Sequence, residues 1–258
     1  MLKNKKGIIF GIANDHSIAW GIAKKLSENG AEIGIAYQNE TLLKRVKPLA
    51  EKIKSPLIIE CDFAKKDSIK KCFDEIKKKF ATIDFIVHAA AYSDKEELNG
   101  KYLNTSKENF INTLNISCYS FTEISKEASK IMNLGGSLLT LSFYGSNKVM
   151  PNYNVMGVAK AALETSVKYL SVDLGVQEIR VNAISAGPMR TLAGAAISNA
   201  RDVYNYTQKN SALKRNVALE ELGNTALYFI SDLSKSVTGE IHYVDCGFNI
   251  IGMPNTNT

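Results

Sequence analysis

Gly7-Ile8-Ile9-Phe10-Gly11-Ile12-Ala13-Asn14-Asp15-His16-Ser17-Ile18-Ala19-Trp20-Gly21 is the stretch whose reading decides the fold. A short apolar run (7–12) meets a glycine turn, and Ser17-Ile18 then opens a helical pattern over 18–29 that Gly30 stops. The same alternation continues along the chain. Brief runs rich in Ile, Val and Leu recur at 32–37, 57–61, 85–89, 137–142, 180–184 and 241–244, as fully buried parallel strands require. Helical patterns fall between them at 66–80, 107–132, 153–174 and 219–231. This order predicts an α/β fold: one Rossmann-like, doubly wound parallel sheet with flanking helices, forming a single domain over 1–258. Pro48 interrupts the helical stretch after Gln38 and leaves its ends undefined. Residues 187–214 carry no clear period; a segment of that length is either a functional lid or a surface loop.

Composition narrows the function classes. The chain has 258 residues, 45% hydrophobic and 22% charged, with a net charge of +6. The lysines are scattered, and in 69–80 they occupy the solvated side of a helix whose other side is Ile69, Phe73, Ile76 and Phe80. With no stacking-aromatic motif, a nucleic-acid surface is disfavoured. No stretch approaches the ~20 apolar residues of a membrane span, so the expectation is a soluble, cytoplasmic protein. Cys61, Cys72, Cys118 and Cys246 form no CxxC pair and read as reduced thiols, two of them in apolar patterns. His16, His88 and His242 lack metal-ligand spacing, so no metal site is expected.

The glycine turn and the helix behind it are suited to an anion. Gly11 lets backbone approach a phosphate, and free N–H groups at the Ser17-Ile18 helix start face it. No GxGxxG is present, and a plain βα turn with a serine cap is the equal alternative. Position favours a dinucleotide. The second strand ends at Tyr37-Gln38, where such folds meet the adenosine ribose. Gln38 is neutral and is followed by Asn39 and Glu40 rather than a base, which favours NADH over its 2′-phosphorylated form. Asp62, past the third strand, is placed either to meet adenine or to cap a helix.

At the other end, Ser142 closes a strand, Tyr153 opens a helical pattern, and Lys160 follows seven residues later. Seven residues are nearly two turns, so the side chains share a face about 10 Å apart along the axis. A phenol beside a substrate and an ammonium near a nicotinamide ribose fit that geometry, at the edge of the sheet where ligands bind.

The segments Ser17-Ile18-Ala19-Trp20-Gly21-Ile22-Ala23, Pro151-Asn152-Tyr153-Asn154-Val155-Met156-Gly157-Val158-Ala159-Lys160-Ala161 and Arg180-Val181-Asn182-Ala183-Ile184-Ser185-Ala186-Gly187-Pro188-Met189-Arg190-Thr191-Leu192 closely resemble bacterial enoyl-(acyl-carrier-protein) reductases. These are divergent short-chain dehydrogenases of type II fatty-acid synthesis. The likeness runs on through Ser236-Val237-Thr238-Gly239-Glu240 and Val244-Asp245-Cys246-Gly247-Phe248. Ketone-reducing members of the wider family place Tyr and Lys four apart; here that fourth position is Gly157, which argues against a 3-oxoacyl substrate. A non-catalytic dinucleotide sensor is the remaining rival, and such proteins usually lack the Tyr or the Lys.

The resemblance implies NADH contacts at Gly11, Ser17, Ile18, Gln38, Asp62, Phe63, Ala90, Lys160, Met189, Thr191, Leu192 and Ala193. It implies a catalytic pair in Tyr153 and Lys160 and a substrate contact at Ser93. The family often has a second tyrosine ten residues before the first, where this chain has Phe143. Either the neighbouring Tyr144 turns into the site, or Phe143 serves as a wall. The resemblance also implies an acyl carrier protein as partner and a homotetramer. Basic residues near the mouth of the site, Lys209, Lys214 and Arg215, either meet that acidic carrier or form a solvated face.

Overall fold

Strands buried on both faces are specified by continuous branched apolar runs, and seven such runs pair in the computed structural model. They are β1 (Lys6–Phe10), β2 (Glu32–Tyr37), β3 (Ile58–Glu60), β4 (Ile83–His88), β5 (Met132–Ser142), β6 (Arg180–Ala186) and β7 (Ile241–Val244). The structure describes residues 1–253, the side chain of Ala193 excepted, so the end of the expected 1–258 domain lies outside it. Among the described residues the sheet order is β3-β2-β1-β4-β5-β6-β7, every pairing parallel. The order reverses between β1 and β4, which opens a crevice at the carboxyl ends of these strands.

The helices are α1 (Ile18–Glu28), α2 (Glu40–Lys52), α3 (Ser68–Phe80), α4 (Lys107–Leu114), α5 (Ser120–Ser129), α6 (Val155–Gly175), α7 (Leu192–Ala195), α8 (Ala200–Asn210) and α9 (Leu219–Ile230). Successive strand residues point to opposite faces, and two apolar layers result. Ile9, Phe85, Val87, Leu139 and Ile184 meet α1, α2 and α9 on one face. Ile8, Phe10, Ile86, Leu138 and Val181 meet α3, α5 and α6 on the other.

Three elements differ from the sequence expectation. Helix α2 runs through Pro48 to Lys52. Pro48 and Lys44 are exposed, so the carbonyl deprived of its helical partner faces water. The pattern over 107–132 is not one helix: a π-type turn at Asn115–Tyr119 separates α4 from α5. Within 187–214, α7 and α8 replace the structureless piece. Thr207 is the buried residue of α8, so this helix has almost no apolar stripe to be read.

Phe85 is fully buried beside Gly7, where any Cβ would collide with its ring. Phe85→Ala should therefore lower stability by about 3–5 kcal/mol in urea unfolding; a change under ~1 kcal/mol would show that this layer repacks freely.

Candidate active site

The crevice is lined first by the β1–α1 turn. Gly11 has φ +98°, and a Cβ there would run into the Ala89 carbonyl and approach the Ala90 amide. Only glycine lets β1 end this close to β4. Asn14 shapes the rest of the turn: its side chain accepts from the His16 N–H at 3.0 Å and its carbonyl accepts from the Ser17 hydroxyl at 2.6 Å. Ser17 is the N-cap of α1 by backbone, yet its hydroxyl makes no capping bond and no acidic residue lies in the first turn. The helix start thus keeps its dipole and amides for an anion, which fits a pyrophosphate.

Gln38 and Asp62, from the ends of β2 and β3, are brought together: the Gln38 amide donates to Asp62 Oδ1 at 3.3 Å. Asp62 also accepts from the Ala64 N–H at 3.1 Å, whereas the N-cap of α3 is Asp67, so Asp62 does not cap that helix. Phe63 packs between Phe10 and His88, each at 5.8 Å between ring centres. This shelf suits an adenosine.

Tyr153 stands two residues before α6 rather than on it, held by a turn in which the Met156 N–H donates to its carbonyl at 3.0 Å. Its ring is buried, and its hydroxyl has no hydrogen-bond partner among the described residues. Burial, with the Glu164 carboxylate adding to it, raises the phenol above its usual range, so it is a proton donor at neutral pH. Lys160 is also buried and donates to the Leu141 carbonyl at 2.7 Å. Burial pushes its ammonium down to about 8, with the Glu164 carboxylate opposing. His88 lies close by, its ring nitrogens 2.9 Å from Thr140 Oγ1 and 2.9 Å from Ser120 Oγ. Burial and then the charge of Lys160 hold it down to about 3, which keeps it neutral.

The turn after β5 supports the tyrosine. Phe143 meets Tyr153 edge-on at 4.9 Å, and a side chain at Gly145 would strike the Tyr153 ring. A Cβ on Gly157 would stand 2.8 Å from the Gly145 carbonyl oxygen, which excludes a lysine at that fourth position. Tyr144 goes elsewhere, edge-on to Tyr243 and Phe248 at 6.3 and 5.8 Å. The structure therefore places Phe143, not Tyr144, at the cavity wall.

These groups open on a cavity of about 590 Å³ whose lining includes Ile18, Ser93, Tyr153, Lys160, Met189 and Thr191. Ser93 is tied down by Asn109 and Thr113 through bonds of 3.0–3.3 Å. Leu98, Met150, Met156 and Ile197 join Tyr153 and Phe143 in a small apolar cluster at the same opening. Leu192 is 45% exposed and lies away from the cavity; the Ala193 side chain is outside the description. Arg215 forms an ion pair with Glu221 at 2.7 Å, and the Lys214 ammonium donates to the Lys209 carbonyl at 3.3 Å.

Sequence reasoning missed the residues that hold Tyr153. Asn152 and Asn154 flank it with φ of 61° and 43°. Asn152 donates to the Ser198 carbonyl at 3.0 Å and accepts from the Gly100 N–H at 3.1 Å; Asn154 donates to the Glu97 carbonyl at 3.0 Å. Two asparagines around the tyrosine, a residue type that tolerates positive φ, were the available signal. Glu164 was missed too, although Met156, Ala159, Lys160, Leu163, Glu164 and Val167 form one buried helical face.

Comparison with known proteins agrees with this geometry. A family model described as enoyl-(acyl carrier protein) reductase matches residues 11–249. The chain is 56% identical over 254 residues to enoyl-(acyl-carrier-protein) reductase (NADH) 2 of Rhizobium meliloti, covering 98% of this chain and 95% of that protein. Its fold is similar to that of FabI from Candidatus Liberibacter asiaticus, with a TM-score of 0.96, 55% identity and 98% of both chains covered. It is also similar to the enoyl-(acyl-carrier-protein) reductase of Anaplasma phagocytophilum in complex with NAD, with a TM-score of 0.95, 51% identity and coverage of 99% and 97%. A match that begins at the Gly11 turn, spans the Tyr153–Lys160 pair and ends past β7 leaves one assignment: the chain belongs to the enoyl-(acyl carrier protein) reductase family.

Proposed function

We propose that this chain reduces the C2=C3 bond of trans-2-enoyl thioesters carried on acyl carrier protein, with NADH, through Tyr153 and Lys160. The observation that carries this reading is the shared cavity: a protonated phenol and a buried ammonium open on the same space as the start of α1. NADH supplies hydride to C3 of the substrate. Negative charge then develops on the thioester oxygen, and the Tyr153 hydroxyl, lacking another partner, donates a hydrogen bond where that charge appears. The Lys160 ammonium binds the ribose hydroxyls and keeps the field positive. Phe143 acts as a wall, and Leu98, Met150, Met156 and Ile197 receive the acyl chain. The C2 proton comes from Tyr153 or from water.

Gln38 and Asp62 hold the adenosine; Gly11, Ser17, Ile18 and Ala90 border the pyrophosphate; Met189 and Thr191 face the nicotinamide; Ser93 meets the substrate. The whole chain works as one catalytic domain, with 187–214 as its substrate-binding segment and Lys209 and Lys214 facing the acidic carrier. Four free cysteines suit a reducing cytoplasm. Among the described residues no helix is long and apolar enough to cross a membrane.

A homotetramer is part of this proposal. Tyr169 and Val172 of α6 and Val176 just past its end are 72%, 76% and 87% exposed at helical spacing, with Ile111 and Tyr119 exposed on the neighbouring α4 and π turn. Such a stripe asks for cover. Light scattering after size exclusion should give four times the 28.3 kDa chain mass; a monomer mass would sink this part of the reading.

Single-turnover oxidation of NADH with crotonyl-CoA tests the chemistry. Tyr153→Phe should slow it on the order of a hundredfold or more, and a rate equal to wild type would remove Tyr153 from the mechanism. A 3-oxoacyl ester serves as the control for ketone reduction.

Lys160→Ala should weaken NADH binding. In the unaltered protein, NADH affinity should hold below the Lys160 midpoint and fall as pH rises through about 8, because the ammonium is then lost. A flat profile from pH 6 to 10 would contradict that role.

A further inference from the structure

We propose that Glu164 is a positioning residue for the Tyr153–Lys160 pair: its buried carboxylate anchors the turn under the Tyr153 ring and supplies the fixed negative charge that holds Lys160 as an ammonium. The inference rests on the roles given above to Tyr153 and Lys160.

Glu164 lies one helical turn past Lys160 on the buried face of α6. No ion pair reaches it among the described residues. Its Oε1 accepts from the Ser142 hydroxyl at 2.5 Å and the Ser146 hydroxyl at 2.6 Å, and its Oε2 accepts from the Asn147 amide at 3.2 Å. A carboxylate placed in the interior is costly unless its lone pairs are met. Here all three donors come from one short turn, 142–147. That turn carries Phe143, which touches Tyr153, and Gly145, on which the Tyr153 ring rests. Loosening it therefore moves the floor of the phenol.

The charge argument is independent of the turn. Lys160 bonds the Leu141 carbonyl and Glu164 bonds the hydroxyl of Ser142, the next residue of the strand, while Tyr153 lines the same cavity as Lys160; His88 from β4 and Cys118 from the π turn complete the titratable groups around it. Burial keeps His88 uncharged near neutrality, and it keeps the Cys118 thiol and the Tyr153 phenol protonated. The Glu164 carboxylate is left as the negative charge of the set. An ammonium with one carbonyl acceptor, and no such charge behind it, would release its proton more readily.

Glu164→Gln separates the two contributions from mere packing, since the amide oxygen can still accept from both serines. The full chain, labelled with [13Cε]lysine, reports the Lys160 midpoint directly by NMR in the absence of NADH, with Lys160→Arg assigning the signal. The expected result for Glu164→Gln is a midpoint about one pH unit or more lower, with the alkaline limb of kcat/KM for crotonyl-CoA moving down in step. Glu164→Asp keeps the charge but shortens the reach. It should leave the Lys160 midpoint in place while lowering kcat by on the order of tenfold. An unmoved midpoint in Glu164→Gln, or wild-type kcat in Glu164→Asp, would overturn the proposal. The titration needs no catalysis: if Glu164→Gln shifts the midpoint as expected while the unaltered protein fails to reduce crotonyl-CoA, the proposed function is refuted and this inference is not.

Discussion

An ammonium buried in an α/β core constrains everything near it. Lys160 sits on α6 and reaches the Leu141 carbonyl at 2.7 Å, close to where β5 ends. Taking such a charge out of water costs several kcal/mol before compensation, so the helix cannot drift from that strand without stranding it. The bond sets the height of α6 against the sheet, and with it the position of the turn that precedes the helix. The next turn of α6 brings Glu164 against Ser142, the last residue of β5. Two polar contacts at one strand end thus hold a helix whose remaining buried residues, such as Leu163 and Val167, are apolar and non-directional.

Much of this was legible from residues alone. The strands were readable because both their faces are covered, which demands continuous apolar runs. Gly11 was readable because its turn interrupts such a run before a helix. Elements whose stability comes from a few specific contacts were not. The polar α8 has no stripe to betray it, and the π turn at Asn115–Tyr119 lies inside an unbroken helical pattern. Pro48 misdirects because the exposed side of a helix can lose a hydrogen bond to water. Sequence could not choose between Tyr144 and Phe143 at the second aromatic position, for a geometric reason. Phe143 is extended, with φ −149° and ψ 147°, so its neighbour points the opposite way. Tyr144 is carried toward Tyr243 and Phe248, and adjacency in sequence becomes separation in space.

The spacing of seven between Tyr153 and Lys160 follows from the same packing. A Tyr and Lys four apart would put the ammonium at residue 157, where the Gly145 carbonyl stands 2.8 Å from any Cβ. That approach is what brings the 142–147 turn under the tyrosine ring, so the site cannot have both the turn and the shorter spacing. The phenol is instead carried on a turn ahead of α6, where helical hydrogen bonds do not fix it. Asn152 and Asn154 replace them, bonding to Gly100 and Glu97 on one side and to Ser198 on the other. Those partners belong to the two segments that wall the cavity. Tyr153 is therefore positioned by the walls of its own pocket, whereas Lys160 is positioned by the sheet. Displacing the 187–214 segment at Ser198 would disturb the phenol while leaving the ammonium in place.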